Sequence, residues 1–153
     1  MKNLMLIIFA LGIAGWANAQ KVSEADLPQP VKAAMQKQFP NAQKVVWGKE
    51  GTDFEAEFMN KGEETSAVFN PVGILKETEV EIKVSALPSA VRDYCTTNYP
   101  GYKISEAAKM INPAGDITYE AELSKGKDKF DAVFDAKGAF LKKVVVPTGE
   151  DKD

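Results

Sequence analysis

Histidine is absent from all 153 residues, and cysteine occurs once, at Cys95. The first absence removes the commonest general base near neutrality, the usual hydrolytic zinc ligand and every serine-histidine arrangement for nucleophilic catalysis. The second excludes a thiolate metal cage, a dithiol redox centre and any internal disulfide. Glycine-rich phosphate cradles of the G-x-G-x-x-G or G-x-x-x-x-G-K-S/T kind are missing too, and NKG, SKGK and DAKG read as turns. No cofactor and no enzymatic activity are therefore expected. Long basic runs and basic stripes interleaved with aromatics are also lacking. Without Lys2, 18 basic residues face 22 acidic ones, a formal charge of −4. That mild acidity aids solubility and argues against nucleic acid or an anionic membrane as partner.

Long apolar runs are confined to the first twenty residues, MKNLMLIIFALGIAGWANAQ. Lys2, the run from Leu4 to about Ala14 and the closing Ala17, Asn18 and Ala19 follow the order of a secretory signal, and the run is short for a bilayer span. The expected cleavage after Ala19, or one residue later, starts the mature chain near Gln20; the competing reading is an uncleaved anchor or a buried helix. No cysteine follows the apolar run to carry a lipid. A soluble protein of the periplasm is expected, with no membrane insertion after cleavage.

The remaining chain repeats. LPQPVKAAMQKQFP (27–40) matches LPSAVRDYCTTNYP (87–100) at an offset of sixty; FEAEF (54–58) matches YEAEL (119–123), and AVFNPVG (67–73) matches AVFDAKG (132–138), both at sixty-five. Three blocks in one order indicate duplication, with the extra five residues of the second copy placed in SEAAKMINPAGD (105–116). Each copy reads as a helix followed by antiparallel strands. Leu27, Val31, Ala34, Met35 and Phe39, and likewise Leu87, Val91, Tyr94, Cys95 and Tyr99, form apolar stripes at helical spacing. Pro28 and Pro30 suit a first helical turn, Ser85 or Ser89 can cap the second helix, and Pro40 and Pro100 end them. Cys95 takes the stripe position of Met35, which favours a small buried hydrophobe over a reactive or dimer-forming thiol.

Strands are expected over about 44–48, 53–59, 64–70 and 74–84, and again over 103–110, 117–124, 129–135 and 139–146, punctuated by Gly, Asn, Asp and Pro. The period of two sends Phe54, Ala56, Phe58, Tyr119, Ala121 and Leu123 to one face, beneath the helices, and Glu55, Glu57, Glu120 and Glu122 to the other. One helix per four strands covers one face. The expected fold is α+β: two tandem helix-plus-four-stranded antiparallel units forming an eight-stranded sheet with two helices on one face.

The paired E-x-E motifs are the only candidate chemistry. The four glutamates either wet an outer sheet face or form an acidic surface for a basic partner, a weak cation site or an acid/base pair. Glu55, Glu57, Val68, Glu120, Glu122 and Val133 are the expected contributors to a partner-binding face, with no catalytic residue and no metal site. Trp47, which shares its strand parity with Val45, is either a core residue or an interface aromatic.

These blocks together, a helix ending in FP or YP, then a Trp or Tyr strand, F/Y-E-A-E and A-V-F-N/D-x-x-G, twice over behind a leader, resemble the PepSY-like periplasmic proteins of Bacteroidetes, over residues 22–147. That architecture is similar to the beta-lactamase inhibitor protein. The resemblance implies a sheet curved around an exposed concave face of the kind the inhibitor uses to grip its enzyme. The inhibitor relies on disulfides that a lone Cys95 cannot make. The expected division is a signal peptide (1–19), two repeats (20–82 and 83–147) and a flexible tail (148–153). A non-enzymatic binding module for a periplasmic protein or peptide is expected, homodimerisation being open. The alternatives are an inhibitor or regulator of an envelope hydrolase, with 105–116 as its entering loop, and a carrier of a small ligand or cation.

Overall fold

The computed structural model describes residues 20–145, so the leader (1–19) and the tail (148–153) lie outside the described residues. Within them two helices form where the apolar stripes lie, α1 at Gln29–Gln38 and α2 at Ser89–Asn98. Val31 and Met35 on one, Val91 and Cys95 on the other, are buried at i, i+4 spacing. Pro28 and Pro88 occupy the N-cap positions with extended backbone, and no side chain caps either helix, so neither Ser85 nor Ser89 performs that role. Each helix is instead preceded by a 3-10 turn, Glu24–Asp26 or Val84–Ala86, the first capped by the Ser23 hydroxyl accepting from the Ala25 amide at 3.3 Å. Phe39 and Tyr99 leave helical geometry just before Pro40 and Pro100, as the steric demand of a following proline requires.

The strands are β1 Gln20–Val22, β2 Gln43–Glu50, β3 Asp53–Asn60, β4 Glu63–Phe69, β5 Leu75–Glu81, β6 Lys103–Ile111, β7 Ile117–Lys125, β8 Asp128–Asp135 and β9 Phe140–Val145. They make one antiparallel sheet whose spatial order is the sequence order. Nine strands stand where eight are expected. The additional one is β1, a three-residue segment that pairs Gln20, Lys21 and Val22 with Lys49, Gly48 and Trp47. Three residues are too few for an alternating pattern to be read.

Two apolar clusters lie under the helices. Leu27, Val31 and Met35 pack with Trp47, Phe54, Ala56, Phe58, Ala67 and Phe69; Leu87, Val91 and Cys95 pack with Ala107, Ala121, Leu123, Phe130, Ala132 and Phe134. The ladder places both on one side of the sheet. Ala56 faces Ala67, Ala67 faces Thr78, Thr78 faces Ile111, and Ile111 shares its face with Ala107, which stands opposite Ala121. The opposite face therefore carries neither helix.

The repeated A-V-F-N/D-x-x-G block is a turn device. Asn70 Oδ1 accepts from the amides of Val72 and Ile74 at 3.2 and 2.8 Å, and Asp135 Oδ1 from those of Lys137 and Ala139 at 2.9 and 2.8 Å. The glycine that follows has φ +81° at Gly73 and +83° at Gly138, and each turn presses on the start of its helix. A Cβ on Gly73 would lie 2.4 Å from the Pro30 carbonyl oxygen, and one on Gly138 would lie 2.8 Å from Ala90 Cβ. Glycine is needed there both for conformation and for space.

Most of the 105–116 segment is strand rather than loop. Ser105–Ile111 belongs to β6, and Ala108–Ile111 pairs with Thr78–Glu81, the ladder that joins the halves of the sheet. Only Asn112–Asp116 remains as a turn, closed by Asn112 Oδ1 accepting from Ala114 and Asp116 at 3.0 and 2.9 Å.

Candidate functional site

The alternation read from the sequence places Glu55, Glu57, Val68, Glu120, Glu122 and Val133 on the helix-free face. Cross-strand register shows their neighbours. One row runs Glu55, Val68, Glu77; the next runs Glu57, Ser66, Glu79, Met110, Thr118, Asp135. A third passes through Glu81, Ala108, Glu120, Val133 and Lys142, and a fourth through Glu106, Glu122, Asp131 and Val144. Glu55 and Glu57 on β3 are four strand spacings from Glu120 and Glu122 on β7, roughly 19 Å, so the four do not converge. Residues from the intervening and adjoining strands connect them instead.

These carboxylates do not simply wet the surface. Glu55, Glu79, Glu120 and Glu122 are all under a tenth exposed and Asp131 is fully buried, whereas Glu57 is exposed. Val68, Ala108, Met110 and Val133 are buried on the same face. In mid-sheet every side chain has ladder neighbours about 4.5–5.5 Å away on the adjacent strands, and long glutamate and methionine side chains standing side by side exclude water from one another. Glu57, between Val46 of β2 and the short Ser66 of β4, escapes this crowding.

Cations are few here. Lys129 Nζ lies 2.9 Å from Glu122 Oε1, which also accepts from the Ser105 hydroxyl at 2.6 Å. Glu122 Oε2, Glu120 Oε2 and both Asp131 carboxylate oxygens are buried without a hydrogen-bond partner. Burial pushes Glu120 up to about 9, with Glu79, Asp131 and Glu77 adding like-charge repulsion against the pull of Lys142. Burial likewise pushes Glu79 up to about 8, Asp131 to about 7 and Glu77 to about 7. A carboxyl in that condition holds its proton near neutrality, since two charged carboxylates at close range in a dry setting repel strongly. Among the described residues no three histidine, cysteine, aspartate or glutamate side chains are grouped so as to hold a metal ion.

Trp47 lies on the other side. It is 6% exposed, packs in the cluster under α1 and has its ring centroid 6.2 Å from that of Phe69, which places it with the core reading of the two. Its presumed partner in parity, Val45, is instead exposed, because the β2 register shifts between Gln43 and Val46 and Lys44 adopts φ +56°. Cys95 is buried in the α2 cluster and burial raises its thiol to about 11, the behaviour of a packing residue. Sequence reasoning missed Glu77, Glu79, Glu106 and Asp131. The alternation of LKETEVE in β5 marks Glu77, Glu79 and Glu81 as one-faced, but only the β5–β6 ladder brings them to within one intervening strand of β7.

A comparison with curated proteins returned no match. Among solved structures, a Bacteroides eggerthii protein described as periplasmic is 18% identical, over 78% of this chain and 89% of that one, with a TM-score of 0.71. A BLIP-like protein from Bacteroides fragilis is 23% identical, over 83% of this chain and 92% of that one, with a TM-score of 0.67. At such identities these likenesses establish the fold. The family model described as beta-lactamase-inhibitor-like, PepSY-like matches twice, at residues 14–64 and 52–142, the second match alone spanning more than half of the chain. With its repeated helix-and-strand order and its helix-free sheet face, the chain belongs to this PepSY-like family.

Proposed function

We propose that the chain is a non-enzymatic periplasmic module that holds a protein or peptide partner against the helix-free face of its sheet. The observation that carries this reading is the placement of both helices on one side, which leaves the rows containing Glu55, Glu57, Val68, Glu120, Glu122 and Val133 facing away from them. An inhibitor-like rather than catalytic family description supports it, as does the export signal read in residues 1–19. In this proposal the repeats span 20–82 and 83–147, and the sheet curves so that the face is concave. A homodimer through the same face is a form of the same reading.

Regulation or inhibition of an envelope hydrolase is the second reading, favoured by the family description and by the BLIP-like neighbour. Its loop element would be the short exposed turn Asn112–Asp116 between β6 and β7. The carrier reading finds less support, because Glu55 and Glu57 stand far from Glu120 and Glu122. The test is capture from periplasmic extract of the native organism by the protein and by a variant with Glu55, Glu57, Glu120 and Glu122 all changed to Gln. A partner retained by the first and lost by the second supports the proposal; equal retention moves binding off this face and refutes it.

A further inference from the structure

The two ends of the sheet are unlike. At one end β2 is covered by the three residues of β1; at the other stands β9, six residues that pair, among the described residues, with β8 alone. An open strand edge presents a row of unpaired backbone donors and acceptors. The duplication shows what such an edge can hold. β9 is the counterpart of β5 at the offset of sixty-five, down to the same register shift: Val68 and Phe69 meet Glu77 and Leu75 as Val133 and Phe134 meet Lys142 and Phe140. In β5 the corresponding edge is covered, with Thr78 opposite Ile111 and Val80 opposite Lys109 of β6. The Ile82 amide donates to the Ala107 carbonyl at 2.9 Å, so by alternation the backbone groups of Val80 and Thr78 also point toward β6. Their counterparts in β9, Val145 and Lys143, direct theirs outward.

We propose that β9 pairs antiparallel with β9 of a second copy of this chain, joining the two sheets edge to edge. The occupant follows from what each copy can offer. The strand that covers β5 is the first long strand after a helix, and in the first half of the chain that strand, β2, is already taken. Gln20 stands opposite Lys49 as Val80 stands opposite Lys109, both pairs sixty residues apart in the repeat, so β1 fills the place that the end of β5 fills beside β6. A copy is left with β9 itself. An edge that meets its own kind forms a closed two-fold pair rather than an open chain. Register then follows from charge. A two-fold centred on Val144 sets Lys143 opposite the partner's Val145, whereas one centred on Lys143 sets two lysines opposite each other, which like-charge repulsion disfavours.

The side chains of β9 suit this contact. Val145 is 71% exposed and Leu141 47%, apolar surface that the fold of one copy leaves in water. Lysines on an edge strand commonly deter pairing, yet here both turn inward. The Lys143 ammonium lies 3.6 Å from the centroid of the Phe130 ring, and Lys142 sits within electrostatic reach of Glu120 and Glu77. A two-fold of this kind is perpendicular to the sheet, so both helix-free faces end on one side and stay open. The proposal therefore holds whether or not that face binds a partner.

The test is sedimentation equilibrium of the leader-free chain from about 10 μM to about 1 mM, because a contact of one strand pair is smaller than a standard interface and holds weakly. A monomer-dimer equilibrium is expected, with amide exchange slowing at Lys143 and Val145 as concentration rises. Val145→Glu sets a carboxylate opposite the partner's Lys143 and should tighten the dimer several-fold, while Val145→Lys should weaken it by about tenfold, the two symmetric contacts acting together. Val145→Pro removes an outward N–H, leaves the bonds to β8 in place and should also weaken it. Val145 is exposed, so the two charge variants keep the test decisive if the proline variant folds poorly. A monomer throughout the range, a dimer that responds alike to Val145→Glu and Val145→Lys, or exchange slowed along β1 instead of β9 overturns the inference.

Discussion

Glu120→Gln should make the protein more stable above neutrality and leave it nearly unchanged in acid. The wild-type carboxyl is pushed up to about 9, while an unfolded chain releases that proton in the ordinary carboxylate range near 4.5. Between those values the folded state holds a proton that the unfolded state has given up. Stability from this group is therefore complete below about pH 4.5 and is lost as pH climbs toward about 9, at a slope of up to ~1.4 kcal/mol per pH unit. Glutamine keeps the shape and the hydrogen-bonding capacity but has no proton to lose. The variant should gain on the wild type by at least ~2 kcal/mol between about pH 5 and about pH 8, which for a domain of this size is a rise of roughly 6 °C in the relative melting temperature. Urea and thermal unfolding followed by circular dichroism at several pH values measure this directly. Parallel pH profiles for the two proteins, or a variant weaker at pH 8 than at pH 5 relative to wild type, would show that Glu120 is ionised and paired in the folded state, and would sink the reasoning for the whole cluster.

The turn glycines give a second expectation: Gly73→Ala and Gly138→Ala should each cost ~1–3 kcal/mol, because alanine must adopt a positive φ and its Cβ meets Pro30 or Ala90. Urea midpoints check this, and neutral variants would mean that the turns do not press on the helices. Trp47→Ala should lose ~3–5 kcal/mol as a core truncation; a loss below ~1 kcal/mol would return Trp47 to the surface. Cys95, raised to about 11 by burial, should react with a thiol reagent orders of magnitude more slowly in the folded protein than in urea. Equal rates would mark it as an exposed thiol.

Much of the fold was legible because periodicity is local. The stripes through Val31 and Met35 and through Val91 and Cys95 foretold the helices, and F-E-A-E-F and Y-E-A-E-L foretold which strand faces meet them. The cap at α2 was misread because serine is a common capping residue, whereas here Pro88 and a preceding 3-10 turn set the entry. The segment 105–116 was misread because Asn-Pro-Ala-Gly announces a turn without saying how far the strand before it extends. Of the candidate site, the alternation placed the glutamates of the two E-x-E motifs on the helix-free face, where the register has them, while Asp131 and Glu79 were not singled out. Their single-sequence surroundings, KFDAVF and ETEVE, give no sign that β8 lies next to the strand bearing Glu120 and Glu122 and that β5 lies two strands away from it on the other side.

The sequence by itself determined the duplication, the two helices, the alternation of the strands and the lack of the residues from which common catalytic centres are made. Each of these follows from spacing along the chain or from composition, which need no knowledge of distant contacts. Only the tertiary structure decided that Ala108–Ile111 pairs with Thr78–Glu81 and so joins both halves in one sheet. The same pairing turned glutamates that would be ordinary solvated residues on a lone strand into a buried cluster. Protonation and burial depend on what stands across the ladder, and that is set by register between residues tens of positions apart.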